Sequence, residues 1–244
     1  MEENYIYGIR AIIEAINAGK NIDKIVARKA LSGELFSELQ KLCKQKSIRI
    51  QYANAEVIDR ITTANHQGVV ALLSKIEYIN INDIENIAKE RNEQPLVLLL
   101  DGITDVRNLG AIIRSADCAG VHAIIVPKKG SAPINGESVK TSAGALHYMP
   151  ICKTNNTFYA LKTLKEHGYH IIGATEHGAV DYHEVDFTGP VAIIMGSEDK
   201  GISRQLLKLC DKNAKIDMFG HVESLNVSVA AGVILFEAAH QRHK

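Results

Sequence analysis

The sequence has no tryptophan, five prolines and four cysteines among its 244 residues. The cysteines lie far apart and form no Cys-x-x-Cys pair, which argues against a disulfide-stapled secreted domain and against a zinc ribbon. No apolar run approaches the roughly 20 residues that span a bilayer, and the acidic start Met-Glu-Glu-Asn lacks the pattern of a signal peptide. These absences predict a cytoplasmic protein with reduced thiols and no membrane partner.

Familiar cofactor motifs are also missing. The chain contains no Gly-x-Gly-x-x-Gly, no Gly-x-x-x-x-Gly-Lys-Ser/Thr and no His-Glu-x-x-His. Its ten histidines do not cluster at the spacing of metal ligands. We therefore predict that the protein binds no metal.

The chain has no excess of either charge, because 28 Lys and Arg balance 28 Asp and Glu. The distribution is uneven, since residues 1–75 carry 11 basic and 8 acidic side chains whereas residues 76–94 carry 2 and 5. A basic front part is compatible with an anionic partner. On charge alone, an ordinary solvated surface explains it equally well.

Apolar patterning predicts an α/β fold with two domains. Residues 1–74 form a small α/β domain, and residues 75–94 form an acidic linker with a weak helical pattern that ends at Pro95. Residues 95–244 alternate apolar, strand-like runs with helical patterns, which predicts a mostly parallel sheet with helices on both faces. The strand-like runs are 96–100, 121–126, 149–151, 169–174, 191–195 and 214–218.

The segment from Val191 to Ala239 predicts a small-molecule cup. An apolar strand stops at Gly196, and Glu198 follows at its tip, where open α/β sheets hold their ligands. Ser224 and Asn226 are helix-capping residue types before a run rich in Ala and Val. Ordinary connecting loops would have the same composition, so both interpretations stand on the residues alone.

Two further stretches are candidates for binding. Asn108 is predicted to cap a helix that carries Arg114. In the front domain, Asn65, His66 and Gln67 precede a buried strand, and with Arg10 they offer amide, imidazole and guanidinium groups to an RNA. A polar turn and solvated basic residues are the alternative.

The motifs together resemble a known family. Asn-Leu-Gly-Ala-Ile-Ile-Arg up to Arg114, Ile-Met-Gly-Ser-Glu-Asp-Lys-Gly-Ile around Glu198, and Ser-Leu-Asn-Val-Ser-Val-Ala around Asn226 resemble the three motifs of the SpoU branch of the SPOUT methyltransferases. Asn65-His66-Gln67-Gly68 resembles the substrate-binding domain of the subgroup that methylates a guanosine ribose in 23S ribosomal RNA.

The resemblance implies a C-terminal SPOUT domain with a deep trefoil knot, the cofactor S-adenosylmethionine, a homodimer, and large-subunit ribosomal RNA as partner. It implies 2'-O-ribose methylation of a guanosine; the alternatives are a transfer RNA ribose methyltransferase and a non-catalytic RNA-binding or ribosome-assembly protein. The implied catalytic residues are Arg114, Glu198, Asn108, Asn226 and Ser224. The implied cofactor-binding residues are Gly196, Ile216, Leu225, Thr175 and Met218, and the RNA-binding residues are Arg10, Asn65, His66 and Gln67.

Arg114 is a base in some accounts of the family. Because a guanidinium stays protonated in proteins, we expect Arg114 to clamp a phosphate and to stabilise the developing alkoxide. Glu198 would then hold the ribose hydroxyl or accept its proton.

Overall fold

A computed structural model describes residues 5–46, 48–73 and 76–244. The chain divides into two units, Met1–Glu77 and Tyr78–Lys244. The predicted boundary between residues 74 and 75 lies outside the described residues, so the domain limits stay a prediction.

The first unit is built on a four-stranded mixed sheet. Its elements in chain order are β1 (Tyr5–Tyr7), α1 (Ile9–Asn17), β2 (Ile22–Arg28), α2 (Glu34–Lys46), β3 (Arg49–Ala53), α3 (Ala55–Asp59) and β4 (Val69–Leu73). Strand β4 pairs antiparallel with β1 and β2, and β3 pairs parallel with β2, which gives the order β1-β4-β2-β3.

Helices cover both faces of this sheet. Side chains of successive strand residues point to opposite faces, so neighbouring residues of β2 belong to different apolar clusters. Ile25 and Ala27 of β2 pack in one apolar cluster with α1 and α2, through side chains such as Ile12 and Leu39. Val26, between them, packs in a second cluster with Ile58 of α3. All six of these side chains are almost fully buried.

The second unit is built on an eight-stranded sheet whose recorded pairings are all parallel. The elements are β5 (Tyr78–Ile79), α4 (Ile84–Glu90), β6 (Leu96–Asp101), α5 (Val106–Cys118), β7 (Ala123–Pro127), α6 (Gly136–Thr141), β8 (Ile151–Thr154), α7 (Thr157–Glu166), β9 (His170–Ala174), β10 (Val180–Asp181), β11 (Val191–Gly196), α8 (Arg204–Leu207), β12 (Lys212–Lys215) and α9 (Val227–Arg242). Short 3-10 turns occupy Ile81–Asp83, Ala145–His147 and Tyr182–Glu184.

The strand order is β10-β12-β9-β11-β6-β7-β8-β5, so β11 lies between β9 and the central β6. The chain runs outward from β6 through β7 to β8, and then crosses to the other half of the sheet at β9. Such a reversal opens a crevice at the carboxyl ends of the strands where α/β proteins bind ligands. The fold therefore places a site at the ends of β6 and β11.

Two helical layers sandwich the second sheet. Val97 and Leu99 of β6 belong to one core cluster with Leu161 of α7 and Leu206 of α8. On the other face α5 packs against α9 and α6. The approach of α5 to α6 requires Gly110, because a Cβ there would lie 1.9 Å from Thr141 Oγ1.

The α/β class and the mostly parallel sheet with helices on both faces are confirmed. Residues 78–94, which the sequence assigns to a linker with a weak helical pattern, form β5, a 3-10 turn and α4, and Ile84 and Ala88 are buried. The last sheet strand is Lys212–Lys215 rather than residues 214–218. The trefoil knot stays a prediction of the family resemblance.

Candidate active site

The site begins where β6 and β11 end side by side. The last residues of these strands, Asp101 and Gly196, are paired in the ladder. A tight turn follows β11, closed by the amide of Gly201, which donates to the Ser197 carbonyl at 2.9 Å. Only glycine fits at 196, because a Cβ there would lie 2.1 Å from the carbonyl carbon of Gly201 and 2.2 Å from the Ile202 nitrogen. The turn therefore fixes where Glu198 is presented.

Helix α5 presents Asn108 from its first turn. The prediction that Asn108 caps this helix is wrong, since the N-cap is Asp105. The Asp105 carboxylate accepts from the Arg107 amide at 2.6 Å and from the Asn108 amide at 3.2 Å. Because the cap satisfies these backbone donors, the Asn108 side chain is free to bond elsewhere.

Asn108, Glu198 and Asn226 form one hydrogen-bonded chain. Asn108 Nδ2 donates to Glu198 Oε1, and Asn226 Nδ2 donates to Asn108 Oδ1 at 3.1 Å. The three residues come from three different elements, since Asn226 is the N-cap of α9. The structure thus brings together one residue from each of the three motifs.

The α9 cap fixes the direction of this chain. Asn226 Oδ1 accepts from the Ser228 amide at 2.9 Å and from Ser228 Oγ at 2.6 Å, so its Nδ2 must be the donor toward Asn108. The Asn108 oxygen then accepts, and its amide NH₂ faces the carboxylate. Glu198 is held through one oxygen, and its Oε2 remains available to a ligand.

Arg114 and Ser224 are placed differently. Both side chains are exposed, and among the residues that the structure describes neither forms a hydrogen bond or an ion pair. Arg114 stands on α5, two turns beyond Asn108, without contacting the Asn108 amide. Within the described chain its guanidinium donors are therefore free to bind a ligand.

The predicted cofactor residues Ile216 and Met218 follow β12, and Leu225 precedes α9. Within the described ranges their backbone N–H and C=O groups have no hydrogen-bond partner; the side chains of Ile216 and Met218 are half-buried, and that of Leu225 is exposed. Such free backbone groups, lined up beside partly buried apolar side chains, fit the polar and apolar parts of a nucleoside-like cofactor.

Thr175 lies across from them at the end of β9. Its amide donates to the Ala214 carbonyl at 2.9 Å, and its carbonyl accepts from Gly178 at 3.0 Å. Gly178 must be glycine because a Cβ would lie 2.5 Å from the Ala214 carbonyl carbon. Thr175 is thus fixed next to β12, on the side from which Ile216 emerges.

Burial makes two thiols of the second unit poor nucleophiles. Desolvation raises the pKa of Cys152 and of Cys210 to about 11, with smaller contributions from Asp83 and Asp211 respectively. Both thiols stay protonated near neutral pH, so neither is a nucleophile there. Among residues 5–46, 48–73 and 76–244 no group of three His, Cys, Asp or Glu side chains is arranged to hold a metal ion.

In the first unit, called the front unit from here on, the predicted RNA-binding residues Gln67 and His66 lie in one turn. Gln67 has a positive φ of 52°, and its Oε1 accepts from the Ile9 amide at 3.2 Å, at the start of α1. His66 Nδ1 accepts from the Gly68 amide at 3.0 Å while its Nε2 donates to Asp59 at 2.9 Å. The turn is therefore locked against α1.

This lock leaves other side chains free at the same end of the unit. Arg10, in the first turn of α1, and Asn65 are exposed, and the structure gives neither side chain a hydrogen bond to the rest of the described chain. The Arg28 amide donates to the Gly68 carbonyl at 2.8 Å, which brings exposed Arg28 beside the turn. An arginine from α1, another from the end of β2 and the amide of Asn65 thus border one turn.

Among residues 5–46, 48–73 and 76–244, no helix combines the length and the apolar character needed to cross a membrane.

Comparisons with known proteins identify the family of the chain. Residues 95–236 match the model of the SpoU rRNA Methylase family, and residues 5–79 match the model described as RNA 2'-O ribose methyltransferase substrate binding. A Bacillus subtilis (strain 168) protein that bears the name of a TrmH family tRNA/rRNA methyltransferase is 35% identical over 243 residues, covering 99% of this chain and 97% of that protein.

Solved structures are similar over the same extent. The SpoU methyltransferase AviRb from Streptomyces viridochromogenes, in complex with the cofactor AdoMet, gives a TM-score of 0.60 and 28% identity over 98% of this chain and 90% of that one. The AdoMet-bound rRNA methyltransferase from Sinorhizobium meliloti gives 0.60 and 27% over 97% and 86%. The chain therefore belongs to the SpoU family of RNA methyltransferases.

Proposed function

We propose that this RNA methyltransferase transfers the methyl group of S-adenosylmethionine to the ribose 2'-hydroxyl of a guanosine in 23S ribosomal RNA. The observation that carries the proposal is the chain Asn226–Asn108–Glu198, which holds the Glu198 carboxylate through one oxygen near the paired carboxyl ends of β6 and β11. S-adenosylmethionine supplies a methyl group bound to a positively charged sulfur, which is a strong electrophile without metal assistance.

The carboxylate provides what the hydroxyl lacks. A ribose 2'-hydroxyl is a weak nucleophile near neutral pH, so its attack is helped when a positioned base takes the proton. Glu198 Oε2 is the free oxygen that accepts this proton, while Oε1 is held by Asn108. A held carboxylate loses little orientational freedom when the substrate arrives, which favours an in-line approach of the hydroxyl oxygen.

Arg114 acts on the charge rather than on the proton. Its guanidinium is exposed and unpaired, and it remains protonated throughout the reaction. A planar fork of N–H donors binds a phosphate bidentately and stabilises negative charge that grows on the attacking oxygen. Asn226 and Asn108 are positioning residues in this scheme, and Ser224 completes the pocket wall.

The cofactor is assigned to the loops that follow β9, β11 and β12. We place its polar groups on the unpaired backbone of Ile216, Met218 and Leu225, with Gly196 and Thr175 at the rim. The donors there are backbone amides and the acceptors are carbonyls, a set that reads an adenine edge and a ribose without any charged side chain.

RNA choice is assigned to the front unit. The turn at Asn65, His66 and Gln67, with Arg10 next to it, offers an ordered polar surface flanked by exposed cations. Large-subunit ribosomal RNA is favoured over transfer RNA because this unit is additional to the methyltransferase fold and matches a substrate-binding model. Transfer RNA is the second candidate, since the Bacillus subtilis relative bears both RNA classes in its name. A non-catalytic role in ribosome assembly is disfavoured by the joined Asn108, Glu198 and Asn226.

A homodimer is part of the proposal. Helix α9 leaves Val229 and Phe236 exposed at 51% and 53%. Seven residues apart on a helix, they lie on one side, together with the 38% exposed Leu225 just before the helix. A second copy covering this apolar strip also comes close to Leu225 in the cofactor loop, which links assembly to the site.

The test measures methylation by the full chain with radiolabelled S-adenosylmethionine. Two RNA substrates are compared, a 23S ribosomal RNA transcript and a set of transfer RNA transcripts. A ribose methyl group removes the nucleophile of alkaline RNA cleavage, so a 2'-O-methylated position appears as a gap in an alkaline ladder. We expect one gap, at a guanosine of the ribosomal transcript. A gap in transfer RNA alone would transfer the proposal to that substrate, and label without any gap would exclude ribose methylation.

A further inference from the structure

A second cleft lies beside the proposed active site. It has a volume of about 390 Å³ and borders the carboxyl ends of three neighbouring strands, β6, β7 and β8. The residues that bear on its chemistry are Asp101, Gly102, Lys129, Asn155, Asn156 and Gln205. None of them belongs to the residues assigned above to catalysis or to the cofactor.

The cleft is built from side chains with unused hydrogen-bonding groups. Lys129, Asn155 and Gln205 are exposed, and their side chains have no hydrogen bond or ion pair in the part of the chain that the structure describes. They follow β7, β8 and β11 respectively, so three separate segments deliver an ammonium and two amides to one concavity. Amide side chains offer both donors and acceptors, which suits the edge of a base.

The floor of the cleft is fixed. Asp101 Oδ2 accepts from the Ser203 amide at 2.8 Å, and Asn156 Oδ1 accepts from the first amides of α7 at 3.0 and 3.3 Å. These hydrogen bonds hold the polar walls of the cleft in place, and a preorganised polar wall favours a bound ligand over simple solvation.

The mixture of charges narrows the ligand class. A free anion would meet the Asp101 carboxylate, and an apolar ligand would meet a lining that is mostly polar. A nucleotide satisfies both ends, since its phosphate can pair with Lys129 while a base or ribose donor reaches Asp101. The volume lies within the range of roughly 300–1,000 Å³ typical of small-molecule sites, which is enough for one nucleotide.

The cleft lies close to the active site, and this closeness indicates which nucleotide of the RNA it would bind. Gly102, at the cleft wall, is so close to the turn after β11 that a Cβ on it would lie 3.5 Å from Ser197 Cβ. The cleft and Glu198 therefore share the end of β6. Tyr159, in the first turn of α7 next to Asn156, is 64% exposed and offers a ring for stacking.

We propose that this cleft holds a nucleotide of the RNA strand that flanks the methylated one, with Asn155 and Gln205 reading its base and Lys129 holding its phosphate. The inference rests on the proposed RNA ribose methylation and adds a specificity-determining subsite to it.

The experiment measures single-turnover methylation of the transcript that the unaltered chain modifies, as a function of enzyme concentration. Asn155→Ala and Gln205→Ala should each raise the half-saturating concentration roughly three- to tenfold, about one hydrogen bond each, with a small change in the limiting rate. Lys129→Ala should do the same and weaken the salt dependence. Lys162→Ala, which removes an equal charge from the middle of α7, serves as the matched control and should behave as the unaltered chain.

A second readout separates a subsite from a general loss. Transcripts substituted at each nucleotide that flanks the target should show one position at which the unaltered chain discriminates between bases. The Asn155→Ala/Gln205→Ala double variant should lose that discrimination. Binding of S-adenosylhomocysteine, followed by calorimetry, should stay within about twofold in every variant.

The possible failures are distinguishable. If the unaltered chain methylates neither transcript, the proposed function falls and the inference falls with it. If it is active and the cleft variants match Lys162→Ala, the inference alone is overturned. Weakened cofactor binding in the cleft variants would also overturn it, because the cleft would then belong to the cofactor.

Discussion

The two units use their polar side chains in different ways. In the front unit, the side chains of His66 and Gln67 form hydrogen bonds with Asp59, Gly68 and Ile9. These bonds fix the conformation of a turn. In the second unit, Asn108, Glu198 and Asn226 bond across 90 and 118 residues of sequence and leave a carboxylate oxygen free. The first unit thus offers a preformed surface bordered by exposed cations, whereas the second offers a reactive group. Recognition and chemistry should therefore fail separately.

The largest effect is expected for Glu198→Gln. The amide oxygen can still accept from Asn108, but the side chain can no longer take a proton, so the methylation rate should fall at least about 100-fold. Asp199→Asn removes a neighbouring exposed carboxylate and serves as the control. Equal rates for the two variants would show that Glu198 is not the base. Single-turnover methylation with saturating RNA measures both.

Arg114→Lys comes next, with an expected loss of roughly ten- to hundredfold in rate. A lysine keeps the charge but not the planar fork that holds a phosphate through two bonds. Arg91→Lys, an exposed arginine before β6, should have no effect. Cofactor binding measured by calorimetry should be unchanged in both, and a fully active Arg114→Lys enzyme would refute the argument from the fork.

Asn226→Asp tests the positioning chain at an intermediate size. The new carboxylate can still accept from Ser228 and cap α9, but it has no N–H to donate to Asn108. We expect a rate loss of roughly tenfold without a fall in melting temperature. Asn226→Ala also removes the cap, so it should lower the free energy of unfolding by about 1 kcal/mol and the melting temperature with it. An unchanged rate in Asn226→Asp would show that Asn108 orients Glu198 unaided.

The front unit should give a smaller and different effect. Arg10→Gln should raise the half-saturating RNA concentration about threefold and reduce the salt slope by about one, since one phosphate contact is lost. The maximal rate and cofactor affinity should not change. Lys41→Gln removes the same charge from α2 and controls for net charge. A loss of equal size in both variants would mean that RNA responds only to overall charge.

The smallest effect is expected at His122, which takes part neither in the proposed RNA recognition nor in the proposed catalysis. His122 is buried, its Nδ1 accepts from the Leu96 amide at 3.0 Å, and its Nε2 lies 3.2 Å from Glu93 without hydrogen-bond geometry. Desolvation, followed by Arg91, lowers the pKa of His122 below 6.5, the ordinary value, despite the opposing charge of Glu93.

Because the unfolded chain takes up this proton before the folded one, stability is full above about pH 6.5 and declines as the pH falls through it, by at most about 1.4 kcal/mol per pH unit. His122→Asn keeps an acceptor for Leu96 but does not titrate, so its melting temperature should depend less on pH between 6.5 and 5. His147→Asn, at an exposed histidine, should retain the full dependence. Identical pH dependence in all three proteins would remove His122 from the explanation.

Local pattern determined much of the fold. Strands β6 and β11 end within one residue of the predicted runs 96–100 and 191–195, because both strands are buried on both faces and read as continuous apolar runs. Strands β1, β5 and β10 are short and only partly buried, so they carry no apolar run to detect. Residues 78–94 look like a linker for the same reason, although tertiary packing buries Ile84 and Ala88.

The site divides along similar lines. Asp105 could have been recognised as the cap of α5, since Asp is a preferred N-cap type and stands three residues before Asn108. The contact of Asn108 with Glu198 and Asn226 could not, because no spacing rule connects residues so far apart in sequence; only the family motifs pointed to it. The cleft at Lys129, Asn155 and Gln205 also depends on strand order, which sequence periodicity does not determine.

Separation of recognition from chemistry is tested most directly by single-turnover kinetics of three proteins over a range of enzyme concentrations with one methylatable transcript: the unaltered chain, Arg10→Gln and Glu198→Gln. Arg10→Gln should shift the half-saturating concentration and keep the limiting rate, whereas Glu198→Gln should keep the half-saturating concentration and lose the rate. A lowered limiting rate in Arg10→Gln, or a full rate in Glu198→Gln, would contradict the assignment of RNA choice to the front unit and of proton removal to the second.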